Sequence, residues 1–210
     1  LKQHGNSVAI AEAASWALRN IAANSSTHSA FGELTACEAI VTALKSHLDN
    51  AVATEQHFAA VANLTCESIQ NIQIFFDIGI TPHLYDALKR HAKIAETVEQ
   101  VCQVVKIMST NVVISKHFGE IGVCESVVGI LRRHIGVSSV AASACLAIST
   151  VSEIVLCYLL DCPWFCLITV ICVRRHILLY LFLSLSIKSP LCMRYSLVCS
   201  AIFRVLMISL

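Results

Sequence analysis

Three histidines recur at nearly equal spacing along the chain, and their side chains could bind a metal or titrate near neutral pH. They are His47, His91 and His134, separated by 44 and 43 residues. A metal site requires imidazoles that converge on one point. Side chains that recur once per structural period lie one above another instead. We therefore expect these histidines to bond free carbonyls at helix C-termini rather than to bind a metal.

The eleven cysteines form no recognisable zinc or disulfide pattern. Cys157, Cys162, Cys166 and Cys172 are separated by five, four and six residues, whereas structural zinc sites use paired Cys-x-x-Cys motifs. An odd total and a chain long enough to bury a sizeable core favour a reducing compartment. The sequence predicts no metal site and no cofactor.

Motifs typical of catalysis and nucleotide binding are not found in the sequence. It contains no glycine-rich phosphate loop, no His-Glu-x-x-His and no nucleophile elbow. The acids and bases are spread along predicted helix faces without a sign of convergence. We therefore expect this protein not to be an enzyme and to have no small-molecule substrate.

The elements that carry these side chains recur with a period near 43 residues. The pentapeptides that end at the three histidines are similar: ALKSH, ALKRH and ILRRH. A second series places Asn20, Asn63 and Lys106 at intervals of 43 residues, each between apolar neighbours. Two series that share one period indicate repeated structural units.

Each period predicts a long helix, a short helix with its turn, and a second helix. The long helices are expected at 7–23, 52–65, 95–109 and 138–151, from apolar spacing and good helix formers. The short helices and their turns are marked by Phe31–Glu33, Phe76–Gly79 and Phe118–Gly122. The second helices are expected at 37–48, 81–91 and 123–134, with Gly79 and Gly122 in left-handed turns and Pro82 in a first turn.

Residues 7 to 151 resemble the armadillo-repeat family. The resemblance rests on the segment WALRNIA that begins at Trp16, followed by Phe-Gly-Glu-x-x-x-Cys-Glu and Ala-Leu-Lys-x-His. HEAT repeats are the alternative, but a short helix after each Asn position favours armadillo repeats. The resemblance implies an all-α fold: a right-handed α-solenoid of about three and a half repeats.

The resemblance also implies a peptide-binding groove along the long helices, with Trp16, Asn20, Asn63 and Lys106 as its candidate residues. Trp16 and Asn20 lie one helical turn apart and share a face. An amide can both donate to and accept from the backbone of an extended segment. The Trp–Asn pair looks like the array with which importin alpha holds a basic peptide. The alternative roles are packing between repeats for the indole and structural bonds for the asparagines.

We therefore predict a protein–protein interaction scaffold, cytoplasmic or nuclear, that binds an extended or helical segment of another protein. Ala59 and Cys102 replace Trp at the equivalent positions of the next periods, so an importin-alpha-like cargo receptor is an alternative that only one repeat matches in full. Neither part of the chain has the strongly basic face of a nucleic-acid binder. A membrane-anchored protein with a cytosolic armadillo region is another alternative.

The chain changes composition near Glu153. Residues 1–153 carry ten basic and thirteen acidic residues, whereas 154–210 carry five basic residues and only Asp161 as an acid. The first twenty residues of this hydrophobic tail could span a bilayer. The tail contains no Gly, Asn, Gln or Glu, and we interpret this biased composition as that of translated non-coding sequence. We predict a partial, N-terminally truncated solenoid at 1–153. The tail at 154–210 is mistranslated sequence, a membrane segment or a helix packed on the solenoid.

Overall fold

The structure is a computed structural model that describes residues 7–28 and 36–160. Within these ranges the fold is all-helical and contains no strand. Its α-helices are α1 (Val8–Ile21), α2 (Ala36–His47), α3 (Ala51–Thr65), α4 (Ile69–Asp77), α5 (Thr81–Arg90), α6 (Ala95–Met108), α7 (Val112–Glu120), α8 (Val123–Arg133) and α9 (Ser138–Leu160). A 3₁₀ turn spans Ser25–Thr27.

The predicted helices occur in the predicted order wherever the structure describes the chain. The long helices are α1, α3, α6 and α9, the short helices are α4 and α7, and the second helices are α2, α5 and α8. The first short helix, expected around Phe31, lies outside the described residues. Helix α9 continues to Leu160, beyond its predicted end at 151, because the chain has no Gly or Pro before Pro163 to end it.

Local side-chain chemistry explains where several helices begin and turn. The Asn50 carboxamide accepts a bond from the Ala53 N–H at 2.9 Å and so caps α3, and Asn111 caps α7 in the same way. Gly79 and Gly122 adopt φ of +82° and +81°, which confirms the predicted left-handed turns. Pro82 lies in the first turn of α5, also as predicted.

The long helices pack side by side in chain order, α1 on α3, α3 on α6 and α6 on α9. The Thr97 hydroxyl, at the start of α6, donates to the carbonyl of Ala51 at the start of α3 at 3.1 Å. The Asn63 amide, near the end of α3, donates to the carbonyl of Arg19 near the end of α1 at 2.8 Å. The start of α6 therefore lies beside the start of α3, and the end of α3 lies beside the end of α1, so α1, α3 and α6 run in the same direction.

The short and second helices complete one continuous apolar core with the long helices. Each second helix packs against the long helix that follows it, and α5 also packs against α8. Phe75 of α4 and Phe118 of α7, 43 residues apart, are both completely buried. Burial of such a side chain contributes roughly 2–3 kcal/mol, so equivalent aromatic residues anchor the two short helices.

The described residues belong to one compact unit of the chain. Within them, no helix combines the length and the apolar character that crossing a bilayer requires. The hydrophobic tail that the sequence analysis placed at 154–210 lies outside the described residues from 161 onward, and so does most of the segment offered as an alternative membrane span.

Candidate protein-binding surface

The four candidate groove residues lie on three neighbouring long helices. The Trp16 side chain on α1 is 58 % exposed, and Asn20, one turn later, is also exposed. Asn63 on α3 and Lys106 on α6 are half-buried. Among the described residues, the indole is therefore largely uncovered.

Asn63 has a structural partner, which the sequence left as one of two alternatives. Its Nδ2 donates to the Arg19 carbonyl at 2.8 Å and so joins α3 to the turn of α1 that carries Asn20. A bond of this kind satisfies a carbonyl close to the C-terminus of α1. One donor of the Asn63 amide is thus used inside the fold, and the structure brings Asn63 beside Asn20.

Small, buried side chains stand at the Trp position in the next two long helices. Ala59 is 2 % exposed and Cys102 is fully buried. Burial raises the pKa of the Cys102 thiol to about 12, so this cysteine is a neutral packing residue at physiological pH. Of these three equivalent positions, only the first therefore carries a large and exposed side chain.

Carboxylates gather near the starts of α3 and α6. Burial raises the pKa of Glu55, the nearby Arg19 opposes this, and the negative charges of Glu96 and Glu99 raise the pKa further. Arg19 also donates through Nη1 to the Gln56 carboxamide at 3.4 Å. The mutual repulsion of the three carboxylates makes this part of the surface a favourable place for a cationic group.

Two of the three recurrent histidines, His91 and His134, bond carbonyls just beyond the C-terminal ends of second helices, as predicted for helix ends, but these carbonyls belong to the preceding period. His91 donates through Nε2 to the Leu48 carbonyl at 2.7 Å, 43 residues earlier. His134 donates to the Ala92 carbonyl at 2.9 Å, 42 residues earlier. Each imidazole therefore ties the end of one second helix to the end of the previous one. Within the described residues, no three His, Cys, Asp or Glu side chains are placed to hold a metal ion.

Sequence reasoning missed the most deeply buried histidine of the described chain. His57 on α3 is 0 % exposed, its Nδ1 donates to the Ala53 carbonyl, and its Nε2 has no partner. The pKa of His57 is lowered to about 4, against an ordinary 6.5, because burial lowers it most, the bond to the Ala53 carbonyl opposes this, and the neighbouring His47 adds to the lowering. The only sequence signal was its position inside the apolar spacing of a long helix.

A cavity of about 180 Å³ lies between α6, α8 and α9. It is lined by Val105, Cys124, Val127, Val128, Ala147, Ile148 and Val151. Burial raises the pKa of the Cys124 thiol, so the lining carries no ionised group that could orient a substrate. With an apolar lining and no charged side chain, this cavity is not treated as a second candidate site.

Comparisons with protein-family models, with curated proteins and with solved structures return no match for this chain.

Proposed function

We propose that this protein is a protein-interaction scaffold of the armadillo type, a right-handed solenoid of about three and a half repeats. Its partner is an extended or helical segment of another protein, bound along the surface of the long helices. The order of long, short and second helices supports this proposal, as does the packing of α1, α3, α6 and α9 side by side in chain order. A protein that works in this way needs neither a catalytic group nor a cofactor.

The exposure of Trp16 is the observation that carries the proposal. Because the indole is 58 % exposed, much of its apolar surface remains in contact with water. A bound segment that covered this surface would gain the free energy of its burial. Tryptophan is also among the side chains that most often dominate the binding energy of protein interfaces.

The carboxylates around Arg19 indicate the composition of the partner segment. Glu55, Glu96 and Glu99 lie close enough together for each of the last two to raise the pKa of the first. A Lys or Arg of the partner would relieve this repulsion. We therefore propose that the bound segment carries at least one basic residue, and that its affinity falls as salt concentration rises.

The test is selection of binding peptides from a random library on the intact chain, followed by affinity measurements with variants. Trp16→Ala should weaken a selected peptide by about tenfold or more, because truncation of a central aromatic side chain costs at least about 1.4 kcal/mol. Lys106→Ala should change the affinity by a smaller factor. Both residues are accessible, so circular dichroism and the melting temperature should remain those of the parent chain.

Two control variants test whether the effect belongs to this surface. Ile69→Ala removes an 81 % exposed apolar side chain on α4, and Lys93→Ala removes an exposed cation between α5 and α6. Neither should change peptide affinity. If the controls weaken binding as much as Trp16→Ala does, or if no library peptide binds, the surface of the long helices is not the binding site.

A further inference from the structure

The C-terminal ends of the second helices carry most of the basic residues that precede the hydrophobic tail. Six of the ten basic residues between positions 1 and 153 lie there, and all six are exposed: Lys45, Lys89, Arg90, Lys93, Arg132 and Arg133. A cation in the last turn of a helix is favoured by the helix dipole, which accounts for one basic residue at each end. The helix dipole does not account for how the cations of neighbouring ends are combined.

Two hydrogen bonds define how neighbouring ends meet. His91, at the end of α5, bonds the Leu48 carbonyl beyond the end of α2 at 2.7 Å. His134, at the end of α8, bonds the Ala92 carbonyl beyond the end of α5 at 2.9 Å. The junction of α2 with α5 and the junction of α5 with α8 therefore have the same register.

The charges at equivalent positions of the two junctions differ. In each junction, the residue before the histidine faces the residue after the bonded carbonyl. At the first junction these residues are Arg90 and Asp49, and they form an exposed ion pair. At the second junction they are Arg133 and Lys93. A lysine thus takes the place of the carboxylate, and two cations stand where the first junction has an ion pair.

The described part of the chain supplies no acid to these two cations. Neither Lys93 nor Arg133 has a carboxylate of a described residue at ion-pair distance. The nearest acid along the chain is Glu96, in the first turn of α6, and its charge acts on Glu55 of α3. Arg132 adds a third exposed cation beside Arg133. The second junction therefore concentrates positive charge that is not neutralised.

We propose that the junction of α5 with α8 binds a carboxylate of an acidic segment of another protein, between Lys93 and Arg133. This carboxylate takes the position that Asp49 takes beside Arg90 one period earlier. A guanidinium can hold a carboxylate through two parallel hydrogen bonds, and the ammonium of Lys93 adds a point charge. The site lies between two described helices and does not depend on the peptide-binding function proposed above.

The surroundings of the site favour a narrow acidic segment over a nucleic acid or an anionic membrane. Neighbouring helices lie about 8–10 Å apart, so the excess positive charge extends over little more than one junction. The neutral Arg90–Asp49 pair lies on one side of it, and Glu96 lies at the start of the next helix. A duplex or a bilayer presents phosphates over a wider area and would bring them against these carboxylates.

The probe is a fluorescein-labelled peptide in which glutamate alternates with glycine, and the control peptide has glutamine in place of glutamate. In fluorescence polarisation with the intact chain, the glutamate peptide should bind and the glutamine peptide should not. An exposed ion pair changes affinity by up to about fivefold. Lys93→Ala should therefore weaken binding about threefold. Lys93→Asp should weaken it about tenfold or more, because the new carboxylate occupies Arg133 itself.

Two further variants are matched controls. Lys116→Asp makes the same change of net charge at an exposed position of α7 and should weaken the glutamate peptide less than twofold. Trp16→Ala should leave its affinity unchanged, whereas Lys93→Ala should leave peptides of the long-helix surface unaffected. Failure of this site and failure of the long-helix surface are therefore distinguishable. All these residues are exposed, so circular dichroism should remain that of the parent chain.

Exchange of the charges between the two junctions provides a gain-of-function test. Asp49→Lys gives the first junction the charges of the second and should strengthen the glutamate peptide about threefold or more. Lys93→Asp gives the second junction the charges of the first and should raise the melting temperature by about 1–3 °C. This rise should disappear when Arg133→Ala is also present, because the new aspartate then has no partner.

Four results would overturn the proposal. Lys93→Asp could weaken the glutamate peptide no more than Lys116→Asp does, or Asp49→Lys could fail to strengthen it. A DNA duplex could bind the intact chain more tightly than the peptide and lose this affinity with Lys93→Asp, which would assign the site to a nucleic acid. The chain could also double its mass in sedimentation as it is concentrated, and Lys93→Asp could abolish this, which would assign the site to a second copy.

Discussion

The buried imidazole of His57 should make this protein lose stability in mild acid. In the folded chain the pKa of His57 is lowered to about 4, first by burial, whereas the unfolded chain has the ordinary value of 6.5. Between these two pH values the unfolded state binds the proton and the folded state does not. The contribution of neutral His57 to the free energy of unfolding is therefore fully present above pH 6.5, and it is lost progressively as the pH falls towards 4.

The size of the loss follows from the two pKa values. The whole difference corresponds to about 3 kcal/mol, of which about 2.5 kcal/mol is already lost at pH 4.5. His57 is 0 % exposed, so solvent does not screen the effect. The group that faces His57 is His47, and its charge acts in the same direction. A loss of this size is a large fraction of the stability of an ordinary domain.

The assay is urea unfolding of the intact chain at pH 7.5, 6.0 and 4.5, followed by circular dichroism. His57→Leu removes the titrating group, and His57→Gln keeps a hydrogen-bond donor without a titration in this range. When the pH is lowered from 7.5 to 4.5, the free energy of unfolding of both variants should fall by about 2.5 kcal/mol less than that of the parent. Other titrating groups contribute equally to all three chains and cancel in the comparison.

The reasoning is refuted if the parent and both variants lose the same free energy of unfolding between pH 7.5 and 4.5. That outcome would mean that His57 accepts a proton in the folded state without cost. A hydrogen-exchange measurement on α3 at pH 5 would then show no increase in the opening of this helix.

Three further predictions concern bonds and thiols that the structure places. Asn63→Ala removes the bond to α1 and should cost about 1 kcal/mol of stability with faster hydrogen exchange in α1, whereas Asn20→Ala should leave the melting temperature unchanged. His91→Ala leaves the Leu48 carbonyl with only the longer bond from the Thr54 hydroxyl at 3.3 Å and should cost about 1 kcal/mol, part of which His91→Gln restores. In alkylation followed by mass spectrometry, the exposed Cys66 should react quickly, and Cys102, with its pKa raised to about 12 by burial, should react only after unfolding. The assignment of Asn63 is contradicted if both Asn variants lose the same stability. The assignment of His91 is contradicted if His91→Ala loses none. The burial of Cys102 is contradicted if it is alkylated as fast as Cys66.

The helices could be read from the sequence because their signals are local. Apolar residues at helical spacing, the caps at Asn50 and Asn111, and the glycines at 79 and 122 act within a few residues of themselves. The end of α9 was predicted too early because the chain beyond 151 has no stop signal before Pro163. The positions of the candidate groove residues on helices were therefore predictable, but their contacts were not.

The sequence by itself determined that this protein is helical, that its elements recur about every 43 residues, and which side chains share each equivalent position. Only the tertiary structure decided that Trp16 is exposed, that Asn63 bonds the end of α1, and that His91 bonds the preceding period. The physical reason is distance along the chain. Partners that lie more than 40 residues away, and the burial that shifts the pKa of His57, arise only when separate helices pack against one another.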